Sequence, residues 1–148
     1  MRRDKKRNQA VLLPLLVALM VWLLLQAVFI VGYVPSDSME PAIQKGSFIV
    51  GVRFLGEPTP GDVIIFWHEG RLLVKRVAAV GGQQIEHNGK HRTVPEGCCY
   101  VLGDNVERSA DSRCWENPFV TKREVEAKVI FLRRRMRVSA ISCGNKNA

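Results

Sequence analysis

Two serines lie two residues apart in the stretch 34–41, between two prolines. Proline fixes its own φ and favours extended backbone at the residue before it, so Pro35 and Pro41 restrict both ends of this segment. A restricted loop can hold a hydroxyl in a fixed position, as a serine nucleophile requires. Serines in loops usually make local turn hydrogen bonds, as Ser36 and Ser38 would. Ser38 therefore becomes a candidate nucleophile only if a base is found elsewhere.

A candidate base is Lys75, which lies within the predicted strand 72–80. Because side chains alternate along a strand, Lys75 shares a face with Leu73 and Val77, and that face is apolar. Burial among apolar groups disfavours the ammonium form and lowers the pKa of a lysine, so the free amine becomes available as a base. The alternative is a lysine at the strand margin whose amine reaches solvent.

A polar, turn-rich loop at 103–113 follows another predicted strand and carries serine, aspartate and arginine side chains close together. Most loops of this kind only connect strands. A serine hydroxyl from this loop can, however, accept a hydrogen bond from a lysine amine and orient it. Such a group would complete a set of nucleophile, base and orienter.

The histidines and cysteines do not predict a competing site. Three histidines flank predicted turns, where we expect them to be solvated: His68, His87 and His91. The spacing of the four cysteines fits no metal motif, and we expect neither a metal nor a cofactor. Cys98 and Cys99 would point to opposite faces of a strand, so at most one is expected to pair with Cys114 or Cys143. Free thiols are the alternative.

The positive charge of the chain is concentrated at its two ends. The formal net charge is +8; residues 1–9 supply half of it, with five basic residues against one acidic residue, and four arginines between 133 and 137 supply the rest. A nucleic-acid-binding protein is expected to spread basic charge over its folded domain, so we predict no nucleic-acid partner. The arginine cluster is predicted to be a solvated strand end, with anionic lipid headgroups as the alternative partner.

An apolar run of 22 residues, Ala10 to Val31, has Gln26 as its only polar side chain. As a helix it would be roughly 33 Å long, enough to cross the hydrocarbon core of a bilayer. The alternative is a cleaved secretory signal, whose apolar region is normally shorter. The basic flank at 1–9 predicts a cytoplasmic amino terminus. We therefore expect a single-pass protein of the cell membrane, with residues 32–148 outside the cytoplasm.

Residues 32–148 have the pattern of one small all-β domain. Its candidate strands, separated by breaks rich in Gly and Pro, are 47–54, 62–68, 72–80, 84–86 paired with 92–94, 99–102 and 127–138. Asn88-Gly89 predicts a tight hairpin turn, because both central positions of a type I′ turn need positive φ. The predicted organisation is a basic tail at 1–9, an anchor helix at 10–31 and an extracytoplasmic β domain.

Four motifs of this domain, taken in order, resemble those of the bacterial type I signal peptidases, membrane-bound serine proteases with a Ser-Lys dyad. The segment 35–41 is similar to the nucleophile box of the family, and 60–66 to a structural strand. The segment 74–77 is similar to the lysine box, and 103–105 with 109–113 to the last box. The resemblance implies an all-β catalytic domain of the signal peptidase and LexA-like kind, behind one transmembrane helix.

The resemblance also implies a role for each site residue. Ser38 would be the nucleophile and Lys75 the general base. Ser36 would supply its hydroxyl, together with the backbone N–H of Ser38, to the oxyanion hole. Ser109 would orient Lys75 by hydrogen bonding.

Asp111 and Arg113 would pair to hold the last loop, as structural support for the site. The sequence also departs from the pattern of the family without losing any proposed catalytic group. Asp37 stands where the family usually has glycine, and aspartate tolerates unusual φ better than most residues. The departures bear on the shape of the site and hence on substrate preference.

An enzyme of this family would remove amino-terminal signal peptides from exported preproteins, cleaving after small residues of the Ala-x-Ala type. It would act as a monomer in the lipid membrane. One alternative is a specialised maturation peptidase with dedicated substrates. A LexA-like self-cleaving repressor would need a DNA-binding segment where this chain has an apolar run. The alternative outside enzymes is a membrane-anchored domain that only binds partners, although Ser38, Lys75 and Ser109 are all present.

Overall fold

The computed structural model describes residues 2–53 and 56–133 of the chain. Within these ranges, one helix, α1 at Arg2–Val28, precedes nine strands. The described residues include no helix that combines the length and the apolar character needed to cross a membrane.

The observed helix does not coincide with the predicted anchor segment, Ala10 to Val31. Helix α1 begins at Arg2, and at its other end the chain passes directly from Val28 into a strand that begins at Phe29. Aromatic and β-branched residues at this end favour extended backbone, and they pair with the strand at Phe48–Val52. The apolar run therefore contains two elements, a helix and a strand.

The nine strands have these bounds in chain order: β1 Phe29–Tyr33, β2 Phe48–Val52, β3 Val63–His68, β4 Arg71–Val80, β5 Gln84–His87, β6 Lys90–Thr93, β7 Cys98–Leu102, β8 Phe119–Thr121 and β9 Val125–Arg133. Seven of them form one antiparallel sheet in the order β1, β2, β9, β3, β4, β7, β8. Strands β5 and β6 form a separate hairpin. The prediction of an all-β domain is confirmed.

Two strands were not predicted, β1 and β8. β1 is hidden in the apolar run, and β8 is only three residues long, too short to show an alternating pattern. β9 begins at Val125, two residues before its predicted start. Its predicted end at Val138 lies outside the described residues, as do Cys143 and the arginines after Arg133.

The predicted hairpin turn between β5 and β6 is confirmed. Asn88 and Gly89 have φ values of 53° and 70°, as a type I′ turn requires. Glu69 and Gly70 adopt the same positive φ, at 48° and 73°, between β3 and β4. Tight turns at both places hold the paired strands in register.

The central strand, β3, is buried on both faces. Ile64 packs in one apolar cluster, and Ile65 packs in another that also contains Val34 and Met39. Burying one such side chain stabilises the fold by about 1.5–3 kcal/mol. The second cluster therefore fixes the serine-bearing segment 34–41 on one face of the sheet.

Candidate active site

The segment 34–41 is held by its own backbone as well as by packing. The Val34 N–H donates to the Ser47 carbonyl at 3.0 Å, and the Gly46 N–H donates to the Val34 carbonyl at 2.8 Å. The Met39 side chain is fully buried. A loop anchored at both its start and its middle keeps the intervening residues in a defined position.

The two serines of this segment lie side by side. The Ser36 and Ser38 Oγ atoms are 3.3 Å apart, and Ser38 is 8% exposed. Among the described residues, the Ser38 backbone N–H donates no hydrogen bond to protein. One hydroxyl and one free N–H thus lie next to the Ser38 hydroxyl, as an oxyanion hole would require.

Lys75 lies on β4 with its side chain turned into the domain, where it is 3% exposed. As strand alternation predicts, it shares its face with Val77, which is buried, and Leu73, which is half-buried. Its Nζ donates a hydrogen bond to Ser109 Oγ at 2.9 Å. The structure thus joins two of the predicted site residues, one from β4 and one from the loop 103–113.

The environment of Lys75 favours the neutral amine. Burial lowers its pKa below the ordinary value; the nearby Asp111 carboxylate opposes this effect, and the Arg113 guanidinium adds to it. Desolvation is the largest of the three effects because the charged form loses its hydration. Lys75 therefore releases its proton more readily than an exposed lysine.

Asp111 is fully buried behind Ser109. Its carboxylate accepts hydrogen bonds from the Gly103 N–H at 2.8 Å and from Arg113 Nε and Nη2 at 2.8 and 2.6 Å. Burial raises the pKa of Asp111, but hydrogen bonds from Arg113, Gly103 and Ser109 outweigh it and hold the pKa at about 2. With its proton drawn toward this carboxylate, the Ser109 hydroxyl presents a lone pair to Lys75. The predicted pair of Asp111 and Arg113 is present.

Gly103 lies between the segment that carries Ser38 and the Ser109 side chain. A Cβ at this position would clash with Ser109 Oγ and would lie 2.6 Å from the Ser38 carbonyl oxygen. Asn105 bonds the same segment, through its N–H to the Ser38 carbonyl at 3.0 Å and through Nδ2 to the Asp37 carbonyl at 3.2 Å. The roles of Gly103 and Asn105 were not predicted, although the Gly-Asp-Asn run was part of the recognised motif.

Arg76 follows Lys75 on β4 and points to the opposite face. It forms a bidentate ion pair with Asp104, with Nε to Oδ1 at 2.8 Å and Nη2 to Oδ2 at 2.7 Å. Its Nη1 also donates to the Gly61 carbonyl at 2.8 Å. Bidentate charged hydrogen bonds are strong and directional, so Arg76 ties the start of the loop 103–113 to β4.

A cleft of about 340 Å³ brings the predicted residues together. Ser36, Ser38 and Lys75 all line it, while Ser109 lies behind Lys75. The other lining residues are mostly apolar: Tyr33, Val34, Pro35, Met39, Leu72, Leu73, Val74, Arg108 and Ala110. In the described part of the chain, no hydrogen bond joins the Ser38 hydroxyl to the Lys75 amine. Catalytic hydrogen bonds of free enzymes often tighten only when substrate binds.

Asp37, between the two serines, has ordinary backbone geometry. Among the described residues, the non-glycine residues with positive φ are Glu69 and Asn88. The carboxylate of Asp37 forms an ion pair with Arg108 at 2.8 Å, and the hydrogen bond from Arg108 lowers the pKa of Asp37. Aspartate at this position therefore has a partner and needs no unusual backbone.

The prediction that all three histidines are solvated was wrong for two of them. His87 is 5% exposed, because the β5–β6 hairpin places its ring beside Tyr100, with Nδ1 3.5 Å from the hydroxyl. His68 is half-buried and stacks on Trp115 with ring centroids 3.8 Å apart. His91 is exposed. None of the three lines the cleft.

Three cysteines, Cys98, Cys99 and Cys114, are free thiols in this structure. The predicted partner Cys143 lies outside the described residues. Burial raises the pKa of Cys99 to about 11, so its thiol stays protonated and unreactive at neutral pH. No group of three His, Cys, Asp or Glu side chains suited to a metal ion is found within residues 2–53 and 56–133.

Comparison with known proteins identifies the family of this β domain, in which a serine and a buried lysine line one cleft. The model of the family described as "Signal peptidase, peptidase S26" matches residues 7–94 and 87–133, which is more than half of the chain. The chain therefore belongs to this signal peptidase family. The predicted family and the predicted hydrolase activity are both confirmed.

Several bacterial relatives carry the same description. A probable signal peptidase I-1 of Synechocystis is 29% identical over 141 residues, covering 70% of this chain and 72% of the relative. Signal peptidase I of Mycobacterium tuberculosis is 29% identical in an alignment of 188 positions, which covers 76% of this chain and 64% of the relative. The enzyme of Pseudomonas aeruginosa is 21% identical over 159 residues, and the match spans 56% of its length.

Proposed function

We propose that this chain is a membrane-bound serine endopeptidase that removes amino-terminal signal peptides from exported preproteins after small residues. One observation carries the proposal: the Lys75 amine is buried, is held by Ser109 and lines the same cleft as Ser38. Membership of the signal peptidase family supports the substrate class.

The proposed chemistry begins with a proton transfer from the Ser38 hydroxyl to the neutral Lys75 amine. Ser38 Oγ attacks the scissile carbonyl, and the resulting oxyanion is stabilised by the Ser36 hydroxyl and the Ser38 N–H. Lys75 then donates the proton to the leaving amine. It next activates a water that hydrolyses the acyl-enzyme ester, which releases the signal peptide and restores Ser38.

Ser109 acts on Lys75 and not on the substrate. By accepting a hydrogen bond at 2.9 Å, it fixes the direction of the amine. Asp111 keeps Ser109 in this role because its ionised carboxylate accepts a hydrogen bond from the Ser109 hydroxyl. Arg113 balances the buried negative charge of Asp111. Asp111 and Arg113 are therefore supporting residues.

The apolar lining of the cleft supports a preference for small apolar side chains. Leu72 and Tyr33 contribute exposed apolar surface at its edge, with 42% and 59% of their areas exposed. The cleft volume of about 340 Å³ supports the proposal of alanine-sized side chains next to the scissile bond. We propose Ala-x-Ala as the cleavage motif, recognised by a monomer without a cofactor.

We further propose that the apolar run at 10–31 anchors the enzyme in the membrane; the proposal rests on the composition of this run, since no described helix has the length and apolar character of a membrane span. Its large apolar side chains are exposed in the described part of the chain, from Leu12 at 57% to Leu25 at 52%. Such a surface is suited to lipid. The basic residues at 1–9 favour a cytoplasmic amino terminus, which places the catalytic domain on the outer side.

The test is cleavage of a preprotein with an Ala-x-Ala site by the full-length chain in detergent micelles. Ser38→Ala and Lys75→Ala are each expected to abolish cleavage while the domain stays folded. Ser36→Ala and Ser109→Ala are expected to reduce kcat on the order of 100-fold without abolishing it, because each supports a step that Ser38 and Lys75 still perform.

The matched control is Ser47→Ala, which removes another buried hydroxyl, one that has no hydrogen-bond partner within residues 2–53 and 56–133. This variant is expected to cleave like the wild type. If either Ser38→Ala or Lys75→Ala retained more than a few per cent of the activity, the Ser-Lys assignment would be wrong. A folded wild-type chain that cleaves no preprotein would favour a domain that only binds partners.

A further inference from the structure

The ion pair between Asp37 and Arg108 lies at the edge of the proposed catalytic cleft. Arg108 lines the cleft together with Ser36 and Ser38, and its Nη1 donates to Asp37 Oδ2 at 2.8 Å. Asp37 lies between the two serines in the sequence. The contact that holds the Asp37 side chain therefore also restrains the backbone that carries both hydroxyls.

Two hydrogen bonds from Asn105 run beside this ion pair, one to the Ser38 carbonyl at 3.0 Å and one to the Asp37 carbonyl at 3.2 Å. The Arg108 N–H donates to the Asn105 carbonyl at 3.3 Å, which closes the turn that carries both residues. The two loops are thus joined at three points. The ion pair is the outermost of the three, because the Arg108 side chain is 70% exposed.

We propose that Asp37 and Arg108 form a clasp that positions the Ser36 and Ser38 hydroxyls relative to Lys75 during cleavage. The inference rests on the proposed function. Both are positioning residues, because neither holds or transfers the reacting proton. Misplacing reacting groups lowers the rate of the chemical step, so loss of the clasp lowers kcat and leaves KM nearly unchanged.

The size of the effect follows from the exposure of the pair. Exposed ion pairs contribute little in water, so we expect a rate loss of roughly two- to fivefold, well short of the loss for Ser38→Ala. Salt screens exposed charges over about 10 Å at 0.1 M ionic strength. The advantage of the wild type over a variant without the clasp should therefore shrink as salt is added.

The experiment uses the full-length chain in detergent micelles and a signal-peptide substrate with an Ala-x-Ala site. Asp37→Asn, Arg108→Gln and the double variant are compared with the wild type. Each single variant is expected to lose roughly two- to fivefold in kcat at low salt. The double variant should lose no more than either single variant, because all three lack the same ion pair.

Glu57→Gln serves as the matched control, since it removes another exposed acidic partner, that of Lys122, at a site away from the cleft. This variant is expected to keep the wild-type kcat at every salt concentration. Thermal unfolding of each variant shows that the domain is folded. Arg108→Gln provides the safer test, because Arg108 is the more exposed partner.

Three results would overturn the clasp. Wild-type kcat in both single variants at low salt would show that the pair has no influence, while leaving the proposed function intact. Losses that multiply in the double variant would show that the two residues act independently. A wild-type chain that does not cleave the substrate at all would remove the proposed function, and the clasp with it.

Discussion

Lys75 is the residue on which the proposed chemistry depends, because its burial favours the neutral amine. Lys75 is 3% exposed and its amine has a lowered pKa, so it can act as a base at lower pH than an ordinary lysine. The Asp111 carboxylate, two residues beyond the Ser109 partner of Lys75, has a pKa of about 2. Ser109 therefore lies between Lys75, whose amine tends to lose its charge, and Asp111, whose carboxylate stays ionised.

This arrangement makes a prediction about the pH dependence of kcat/KM on a signal-peptide substrate. Only the free amine of Lys75 can accept the Ser38 proton, so activity should rise as the pH rises through the lysine pKa. Because burial lowers that pKa, the rising limb should lie below the ordinary value of 10.5. His68→Gln is the control, and it should leave the limb in place. A limb near 10.5, or one that moved in His68→Gln, would exclude Lys75 as the base.

At the scale of the elements, three segments meet at the cleft: 34–41, β4 and the loop 103–113. Because side chains alternate along β4, Lys75 faces the cleft and Arg76 faces the opposite side. There Arg76 forms its ion pair with Asp104 at the start of the loop. The same strand therefore carries both the proposed base and the residue that supports the loop proposed to orient it.

Gly103→Ala tests how closely these segments must approach. A Cβ at Gly103 would clash with Ser109 Oγ and lie 2.6 Å from the Ser38 carbonyl oxygen, so it must push the two groups apart. A displacement of about 1 Å can cost on the order of 100-fold in rate, and we expect a loss of that size in kcat. Val106→Ala, in the same loop at an exposed position, should behave like the wild type. Unchanged kcat in Gly103→Ala would show that the close approach is not needed.

The features predicted correctly from the sequence are those that depend on the local pattern of residue types. Period-two alternation placed Lys75 on a buried face, and Asn88-Gly89 specified its turn through the φ values that this turn requires. An apolar run has no internal signal that separates helix from strand, which is why β1 was missed. Burial of His87 depends on how the β5–β6 hairpin packs near Tyr100, and the local sequence does not specify that packing.

Long-range contacts were the second kind of information that local pattern could not supply. Asp37 and Arg108 are 71 residues apart in the chain, and Asp37 and Asn105 are 68 apart. Charged residues on two loops can pair in many ways, and only the packing of both loops on the sheet selects one. The resemblance to a family identified the segments, and the structure identified the contacts between them.

At the scale of the whole molecule, the connection between helix and cleft is short. α1 ends at Val28, β1 follows without a linker, and Tyr33 at the end of β1 lines the cleft. A strand of this length spans about 17 Å. If the apolar run at 10–31 anchors the chain as proposed, the cleft is held close to the membrane surface, where a membrane-inserted signal peptide presents its cleavage site.

The proposed orientation can be tested on the chain in its own membrane. Five basic residues against one acidic residue precede the apolar run, which favours retention of residues 1–9 in the cytoplasm. Protease added to intact protoplasts should therefore digest the segment after Gly32 and leave an epitope tag at the amino terminus protected. Lysed protoplasts are the control, in which both should be digested. Replacing the five basic residues by Gln should produce a mixed population with some inverted chains. Full protection of the segment after Gly32 in the wild type would show that the catalytic domain faces the cytoplasm.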